Sequence, residues 1–458
     1  MLGYLYITLI IKKIIIIIMA YYLKLFETDS QYEAYMGGGE VALPNVSHCI
    51  SENEVHYNPI PHDYSQDYFT TIAKESGTIT FTYTTGGTTD VFTSMSYKKN
   101  DGEWITTQYD PSNGNTINVS VNNGDKVQWK GINNVFYYQS PNVELFGYFT
   151  STHTVDIEGN IMSLLYGDNF SDKRSLEGRD GAFVSLFGGC QVVSAENLVL
   201  PATTLAESCY NSMFENCTSL TTAPDLPATT LAENCYHGMF YGCTGLTTTP
   251  ELPATTLARS CYGGMFAGCT SLTTAPSLSA TTLAESCYNE MFYDCTSLTT
   301  APELPATTLE NHCYNRMFAG CTGLTTAPEL PATTLASYCY YYMFSGCTSL
   351  TTAPELPATT MASYCYGYMF YNCTGLTTAP DLPATTLASN CYGHMFQRCT
   401  SLNYIKAMFT TAPSTSYTSN WVSGVASTGT FVKNASATWT TTGVNGVPSG
   451  WTVQTASA

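Results

Sequence analysis

Leu200-Pro-Ala-Thr-Thr-Leu-Ala-Glu-Ser-Cys-Tyr-Asn-Ser-Met-Phe-Glu-Asn-Cys-Thr-Ser-Leu-Thr-Thr-Ala-Pro-Asp225 is the first of eight near-copies of one 26-residue unit. The others open at Leu226, Leu252, Leu278, Leu304, Leu330, Leu356 and Leu382, without insertions, and the run ends at Leu402. A unit this short cannot bury its apolar face alone, so a fixed period of this length implies identical coils stacked into a solenoid. Within each coil, Cys-Tyr-x-x-Met-Phe-x-x-Cys places apolar residues at i, i+1, i+4, i+5 and i+8. That spacing predicts one or two helical turns with a buried face. The flanking Thr-Thr-Ala-Pro and Leu-Pro-Ala-Thr-Thr-Leu stretches are β-branched and broken by proline, and read as short extended segments.

Working outward, residues 161–199 form a lead-in with a degenerate first coil, because Leu186-Phe187-Gly-Gly-Cys190 echoes Met213-Phe214-Glu-Asn-Cys217. After Leu402 the pattern dissolves into a Ser/Thr/Gly-rich stretch, 403–458, with Trp421, Phe431, Trp439 and Trp451 as apolar anchors, which predicts a β cap on the last coil. Between residues 64 and 160, period-2 alternation recurs at short spacing in Thr78–Tyr83, Ser94–Lys98, Glu103–Thr106, Thr116–Val121, Asp125–Lys130 and Thr152–Ile157. Asn100-Asp101-Gly102 and Asn122-Asn123-Gly124 supply two hairpin turn signals, and the whole predicts a small β-sandwich. Trp104 and Trp129 on these strands read as core before they read as a carbohydrate platform.

Residues 19–63 hold brief extended pieces around Met36-Gly-Gly-Gly39 and are expected to be a docking segment. Residues 1–18 are an apolar stretch split by Lys12 and Lys13 into pieces each about half the ~20 residues needed to cross a bilayer. No small-x-small cleavage pattern follows Met19. The Ile, Lys and Tyr content fits an AT-rich upstream leader with Met19 as the native start. The expected architecture is therefore mainly β with short helices: a solenoid of eight 26-residue coils preceded by a small β-sandwich.

Net charge is −19, from 16 Lys+Arg against 35 Asp+Glu, which argues against nucleic acid or an anionic membrane as a partner. Sixteen of the 18 cysteines occupy two slots of the repeat, Cys209 and Cys217 and their counterparts. Inside an apolar pattern a free thiol behaves as a small hydrophobe, so buried reduced ladders are expected rather than disulfides or zinc ligands. The seven histidines, His237, His312 and His394 among them, are scattered without a nucleophile, so no catalytic set is expected and no cofactor is called for.

Two columns stand out as candidate sites. Positions flanking the Cys-Tyr and Met-Phe pairs vary between copies and turn aromatic in the sixth and seventh, at Tyr338, Tyr341, Tyr342, Tyr364, Tyr368 and Tyr371. Tyrosine offers a large amphipathic contact at low entropic cost, which suits a glycan or protein footprint; the alternative is simple cover for the expected helix face. The second column is acidic: Asp225, Glu251, Glu303, Glu329, Glu355 and Asp381 share one slot, with Ser277 in the fourth copy. Stacked carboxylates either splay into solvent or gather a cation such as calcium, and splaying is the expectation.

Leu220-Thr-Thr-Ala-Pro-Asp-Leu-Pro227 followed by Met239-Phe240-Tyr-Gly-Cys243-Thr-Gly-Leu246 resembles the BspA-like leucine-rich repeats. Met stands where that family usually has Ala, and Ala223 where it usually has Ile. The resemblance implies surface adhesion, on a cell or a virion, with no catalytic residues to carry over. Pro44-Asn-Val-Ser-His48 and Val55-His-Tyr-Asn-Pro59 resemble the leader of structural proteins from phages of gut bacteria. The implied partners are a host-surface glycan or protein, and other virion or cell-envelope proteins through the N-terminal segment. A bacterial cell-surface adhesin and a structural spacer without a ligand are the alternatives.

Overall fold

A computed structural model of the chain describes residues 46–51, 54–59, 62–83, 94–107, 115–132, 137–140 and 143–456. The apolar stretch 1–18 and the glycine hinge lie outside the described residues. Contacts divide the chain into two units, 1–63 and 64–458. In the first, β1 (Val46–Ser51) and β2 (Glu54–Pro59) form an antiparallel hairpin with Val46 opposite Pro59 and Ser51 opposite Glu54.

The second unit opens with two sheets. β3 (Thr70–Ala73), β5 (Met95–Lys99), β6 (Ile105–Thr107), β8 (Lys126–Gly131), β11 (Val155–Asn160) and β12 (Val192–Val199) make a six-stranded sheet in the order β12-β11-β3-β8-β5-β6. β4 (Gly77–Tyr83), β7 (Thr116–Val121), β9 (Tyr137–Ser140) and β10 (Val143–Ser151) make a four-stranded one in the order β7-β4-β10-β9. Alternation explains the shared core: Ile117, Val119 and Val121 of β7 point inward, as do Val127 and Trp129 of β8. Phe149 of β10 meets Trp129 of β8 at 5.0 Å and Phe81 of β4 at 4.8 Å. Trp129 is fully buried, and its indole N–H donates to Thr71 Oγ1. Trp104 is half-buried, with Lys130 Nζ 4.3 Å from its ring centroid.

The turn at Asn100–Gly102 joins β5 to β6 as expected. The turn at Asn122–Gly124 forms too, with Gly124 at φ +85° and Asp125 N–H donating to Asn122 O, but it does not close a hairpin. β7 pairs with β4 and β8 with β3 and β5, so this turn carries the chain from one sheet to the other. The Asp125 carboxylate fixes it, accepting from Asn122 N–H at 2.8 Å and Asn100 Nδ2 at 2.9 Å and pairing with Lys99 at 2.8 Å. These bonds, that from Asn100 foremost, hold its pKa well below the usual carboxylate range.

No gap separates the sheets from the solenoid. β12 runs parallel to β11 and then bridges Thr222 of the first copy through Ser194. Phe183 stacks on Tyr210, Phe187 on Phe214, and the Cys217 thiol donates to Phe187 O. Through the copies, Tyr210, Tyr236, Tyr262, Tyr288, Tyr314, Tyr340, Tyr366 and Tyr392 form a buried stack with centroids 5.7–6.0 Å apart. A parallel phenylalanine stack runs from Phe187 to Phe396. Each second-slot thiol, Cys243 onward, donates to the Phe carbonyl of the preceding coil at 2.9–3.1 Å. The cysteines from Cys190 to Cys399 are all free and buried.

The expected helix is absent from the coils. The described α-helix is one turn, Ser163–Tyr166, outside the repeat. Cys-Tyr-x-x-Met-Phe-x-x-Cys instead forms a ladder of tight turns in which every fourth residue has φ near +60°, as at Tyr338, Tyr342 and Gly346 of the sixth copy. Amide protons alternate in direction. Those of Tyr341, Met343, Ser345 and Cys347 donate three residues back, to Tyr338, Tyr340, Tyr342 and Phe344. Those of Tyr340, Tyr342, Phe344 and Gly346 donate to the next coil, to Cys365, Gly367, Met369 and Tyr371. The apolar pairs recur every four residues, one turn each, and over two repeats that spacing departs from the helical 3.6 by less than one residue.

The C-terminal stretch continues the same plan. In the 26-residue register Tyr417 falls at the Cys391 slot, Trp421 at the Met395 slot and Gly424 at the Arg398 slot. Tyr392, His394, Phe396 and Arg398 accordingly donate their amides to the carbonyls of Tyr417, Ser419, Trp421 and Ser423. β13 (Tyr404–Ala407), β14 (Thr430–Lys433) and β15 (Thr452–Thr455) then stack in parallel. Trp421 lies within 6.3 Å of Tyr392, Phe396, Phe409 and Phe431, and so closes both aromatic stacks.

Candidate functional site

The turn ladder decides where the variable residues point. In the turns of the sixth copy two residues pack inward, Cys339 with Tyr340 and Met343 with Phe344, and two face out, with Tyr338 and Tyr342 at positive φ among the latter. Copies two to eight share this backbone, so side chains at equal slots line up in columns one coil apart. One column reads His312, Tyr338, Tyr364, Asn390, and the next reads Arg316, Tyr342, Tyr368, His394. The six tyrosines expected to form a footprint do come together. Tyr338 stacks on Tyr364 at 4.6 Å and Tyr342 on Tyr368 at 4.2 Å, each pair within 10° of parallel. Tyr341 stands between the columns, edge-on to Tyr338 at 5.2 Å, to Tyr342 at 4.7 Å and to Tyr368 at 5.6 Å. Tyr371 closes the far side, 5.8 Å from Tyr368.

Four residues outside the expected set complete the patch. His312 stacks on Tyr338 at 4.7 Å and His394 on Tyr368 at 4.2 Å, so each column ends in an imidazole. Arg316 lies over the Tyr342 ring and Arg398 over the Tyr371 ring, at 5.2 and 5.7 Å. In the sequence the histidines look scattered; the 26-residue register is the signal that places His312 and His394 on the tyrosine columns. Gly367 leaves the room Tyr341 fills, because a Cβ there would sit 2.9 Å from Tyr341 Cδ2. Tyr364 Oη accepts from Asn390 Nδ2 at 3.0 Å, and His394 Nδ1 lies 2.7 Å from Gln397 Oε1. Burial pushes the Tyr341 and Tyr342 phenols above their ordinary range, with neighbouring tyrosines adding to it, so both remain protonated donors at neutral pH.

The acidic column is exposed at Asp225, Glu251, Glu303, Glu329, Glu355 and Asp381. Glu303, Glu329 and Glu355 sit in proline-lined grooves between successive coils, and Asp381 pairs with Lys406 at 2.5 Å. Among the described residues no three His, Cys, Asp or Glu side chains group as metal ligands. A cavity of about 710 Å³ lies on the six-stranded sheet and is lined by polar residues including Asp67, Lys98, Asn100, Lys126 and Glu158. Among the described residues no helix is long and apolar enough to cross a membrane.

Stacked, hydrogen-bonded coils with columns of buried leucine, phenylalanine and cysteine define a leucine-rich-repeat solenoid. Residues 185–325 and 285–420 match the family described as BspA type Leucine rich repeat region, in six copies, and together they span just over half of the chain. The chain belongs to that family. Such proteins are typically found at surfaces or outside cells, and are compatible with adhesion or binding roles. No curated protein and no solved structure matches the chain.

Proposed function

We propose that this protein is a non-enzymatic adhesion or receptor-binding protein and that the tyrosine patch of the sixth and seventh copies is its contact surface for a host glycan or protein. The observation that carries this is where the tyrosines sit. Tyr338, Tyr342, Tyr364 and Tyr368 have φ between +56° and +59°. An L-residue in that region costs roughly 1–2 kcal/mol, and Gly238 and Gly264 fill the Tyr342 slot in earlier copies. Ser, Asn, Glu, Arg and His hold the same positive φ at these slots in other copies, so what sets the sixth and seventh copies apart is the stacked tyrosine side chains that fill both columns there. A bare spacer has no use for them.

The rest of the chain fits the same role. The eight-copy stack is the rigid support, the paired sheets at 64–160 are a β-sandwich that carries it, and residues 19–63 dock onto other virion or cell-envelope proteins. The resemblance of Pro44–His48 and Val55–Pro59 to phage structural leaders favours a virion over a bacterial surface. The test is binding of the full chain to the target cell surface, with a Tyr341→Ala/Tyr368→Ala variant beside it. The variant is expected to lose binding while keeping its melting temperature, and undiminished binding would remove the patch from the proposal.

A further inference from the structure

Charge is distributed unevenly on the turn face, in a way the −19 total conceals. From Leu200 to Leu402 the chain holds three basic residues, Arg259, Arg316 and Arg398, and no lysine. Two of the three border the tyrosine patch. Every carboxylate on the turn face lies in the first five copies, the last being Glu310, and of these Glu290 is paired with Arg316 at 3.0 Å. Beyond Glu310 the copies carry Glu329, Glu355 and Asp381 alone, all in the proline-lined segment, whose grooves no turn-face residue lines. Arg398 is exposed and makes no ion pair among the described residues. The aromatic patch is therefore a neutral-to-cationic island on an acidic protein, edged by protonated phenols, imidazoles, the Arg398 guanidinium and Arg316, whose charge is shared with Glu290.

We infer that the ligand of this patch is an anionic saccharide, one bearing carboxylate or sulfate groups, with Arg316 and Arg398 engaging its charges and the tyrosines its rings and hydroxyls. The inference rests on the patch being the contact surface proposed above. Arg316 and Arg398 are three coils apart along the stack, roughly 14 Å at the strand spacing. A short oligosaccharide spans that distance and a single sugar does not. Guanidinium groups recognise planar carboxylate and sulfate groups through paired N–H donors. The acidic remainder of the molecule repels the same ligand, so electrostatics directs it to this face. The columns repeat their phenols at the coil spacing, which suits a ligand that repeats hydroxyls and charges at short intervals more than an acidic peptide.

The experiment uses the full chain with dextran sulfate, unmodified dextran and poly-glutamate as probes, against wild type, Arg398→Gly and Tyr341→Ala/Tyr368→Ala. Arg398 has φ +65° in a column where Gly242, Gly268, Gly320 and Gly346 stand, so Arg398→Gly keeps the fold. Dextran sulfate is expected to bind at least about tenfold more tightly than dextran, and Arg398→Gly to weaken it about tenfold with the melting temperature unchanged, the worth of one charge-assisted contact. The tyrosine variant is expected to abolish it. Equal binding of both dextrans, lost in the tyrosine variant, overturns the anionic ligand while leaving the contact surface standing. Dextran sulfate that does not bind, or that binds Arg398→Gly undiminished, also overturns the inference. Preference for poly-glutamate replaces the saccharide with an acidic peptide. If the tyrosine variant binds every probe as wild type does, the contact surface itself is wrong.

Discussion

Tyr342 and Tyr366, in adjacent coils, put one residue type in two environments. Tyr366 is 1% exposed, between Tyr340 and Tyr392 in the buried stack, whereas Tyr342 is half-buried at φ +58° on the turn face. Replacing the buried ring leaves a cavity, so Tyr366→Ala is expected to cost about 3–5 kcal/mol, read as a drop in the chemical denaturation midpoint. For Tyr342→Gly the terms oppose each other: relief of roughly 1–2 kcal/mol of backbone cost against about 0.5–1.5 kcal/mol of stacking. Its stability is expected to stay within about 1 kcal/mol of wild type while binding falls. Equal losses for the two variants would show that the turn-face tyrosines are structural. Gly367→Ala tests the patch from beneath: its methyl meets Tyr341 Cδ2, so binding is expected to weaken through the displaced ring with little change in melting.

At the scale of the coil, the thiol ladders tie stability to pH. Burial raises the thiols of Cys235, Cys269, Cys287, Cys321 and Cys339 to about 12, and pushes those of Cys347 and Cys373 well above the ordinary thiol range. Their stabilising effect is complete below the unfolded value of about 8.5 and is lost as pH rises toward the folded value. Each such thiol then costs about 1.4 kcal/mol for every pH unit above its unfolded value, and one coil carries two of them. Melting temperature is expected to hold steady to about pH 8 and to fall steeply above about pH 9, with salt giving no rescue because the cause is burial rather than charge pairing. A flat profile to pH 11 would show that the thiols are not buried as described. For the same reason, iodoacetamide at neutral pH is expected to leave the repeat cysteines unlabelled until denaturant is added.

Across the whole molecule, each coil touches only its neighbours, so damage at one end should travel inward coil by coil. Trp421 closes the tyrosine and phenylalanine stacks at the C-terminal end and donates its indole N–H to Gly446 O at 3.0 Å. Trp421→Ala is expected to open the copies from Leu356 and Leu382 to hydrogen exchange well before those from Leu200 and Leu226. A uniform rise in exchange would mean that the stack unfolds as one unit. At the other end the parallel pairing of β12 with β11 anchors the first copy to the sheets, so the N-terminal copies should be the last to exchange.

The sequence by itself determined the stack, its register, the burial of its thiols and the set of slots free to vary, because a repeated unit with a fixed apolar pattern has one way to hide that pattern. It also marked the six tyrosines, since they are departures from a consensus printed alongside them. Tertiary structure decided what backbone those slots ride on. Two apolar pairs four residues apart satisfy a helix and a turn ladder about equally, and only the amides bonding to the next coil settle the matter in favour of turns. The second turn signal, at Asn122–Gly124, makes a turn but no hairpin, because strand partners are chosen by the whole core and not by the loop. Stacking across coils brought His312, His394, Arg316 and Arg398 to the tyrosines, and a column exists only once the coils are laid on one another.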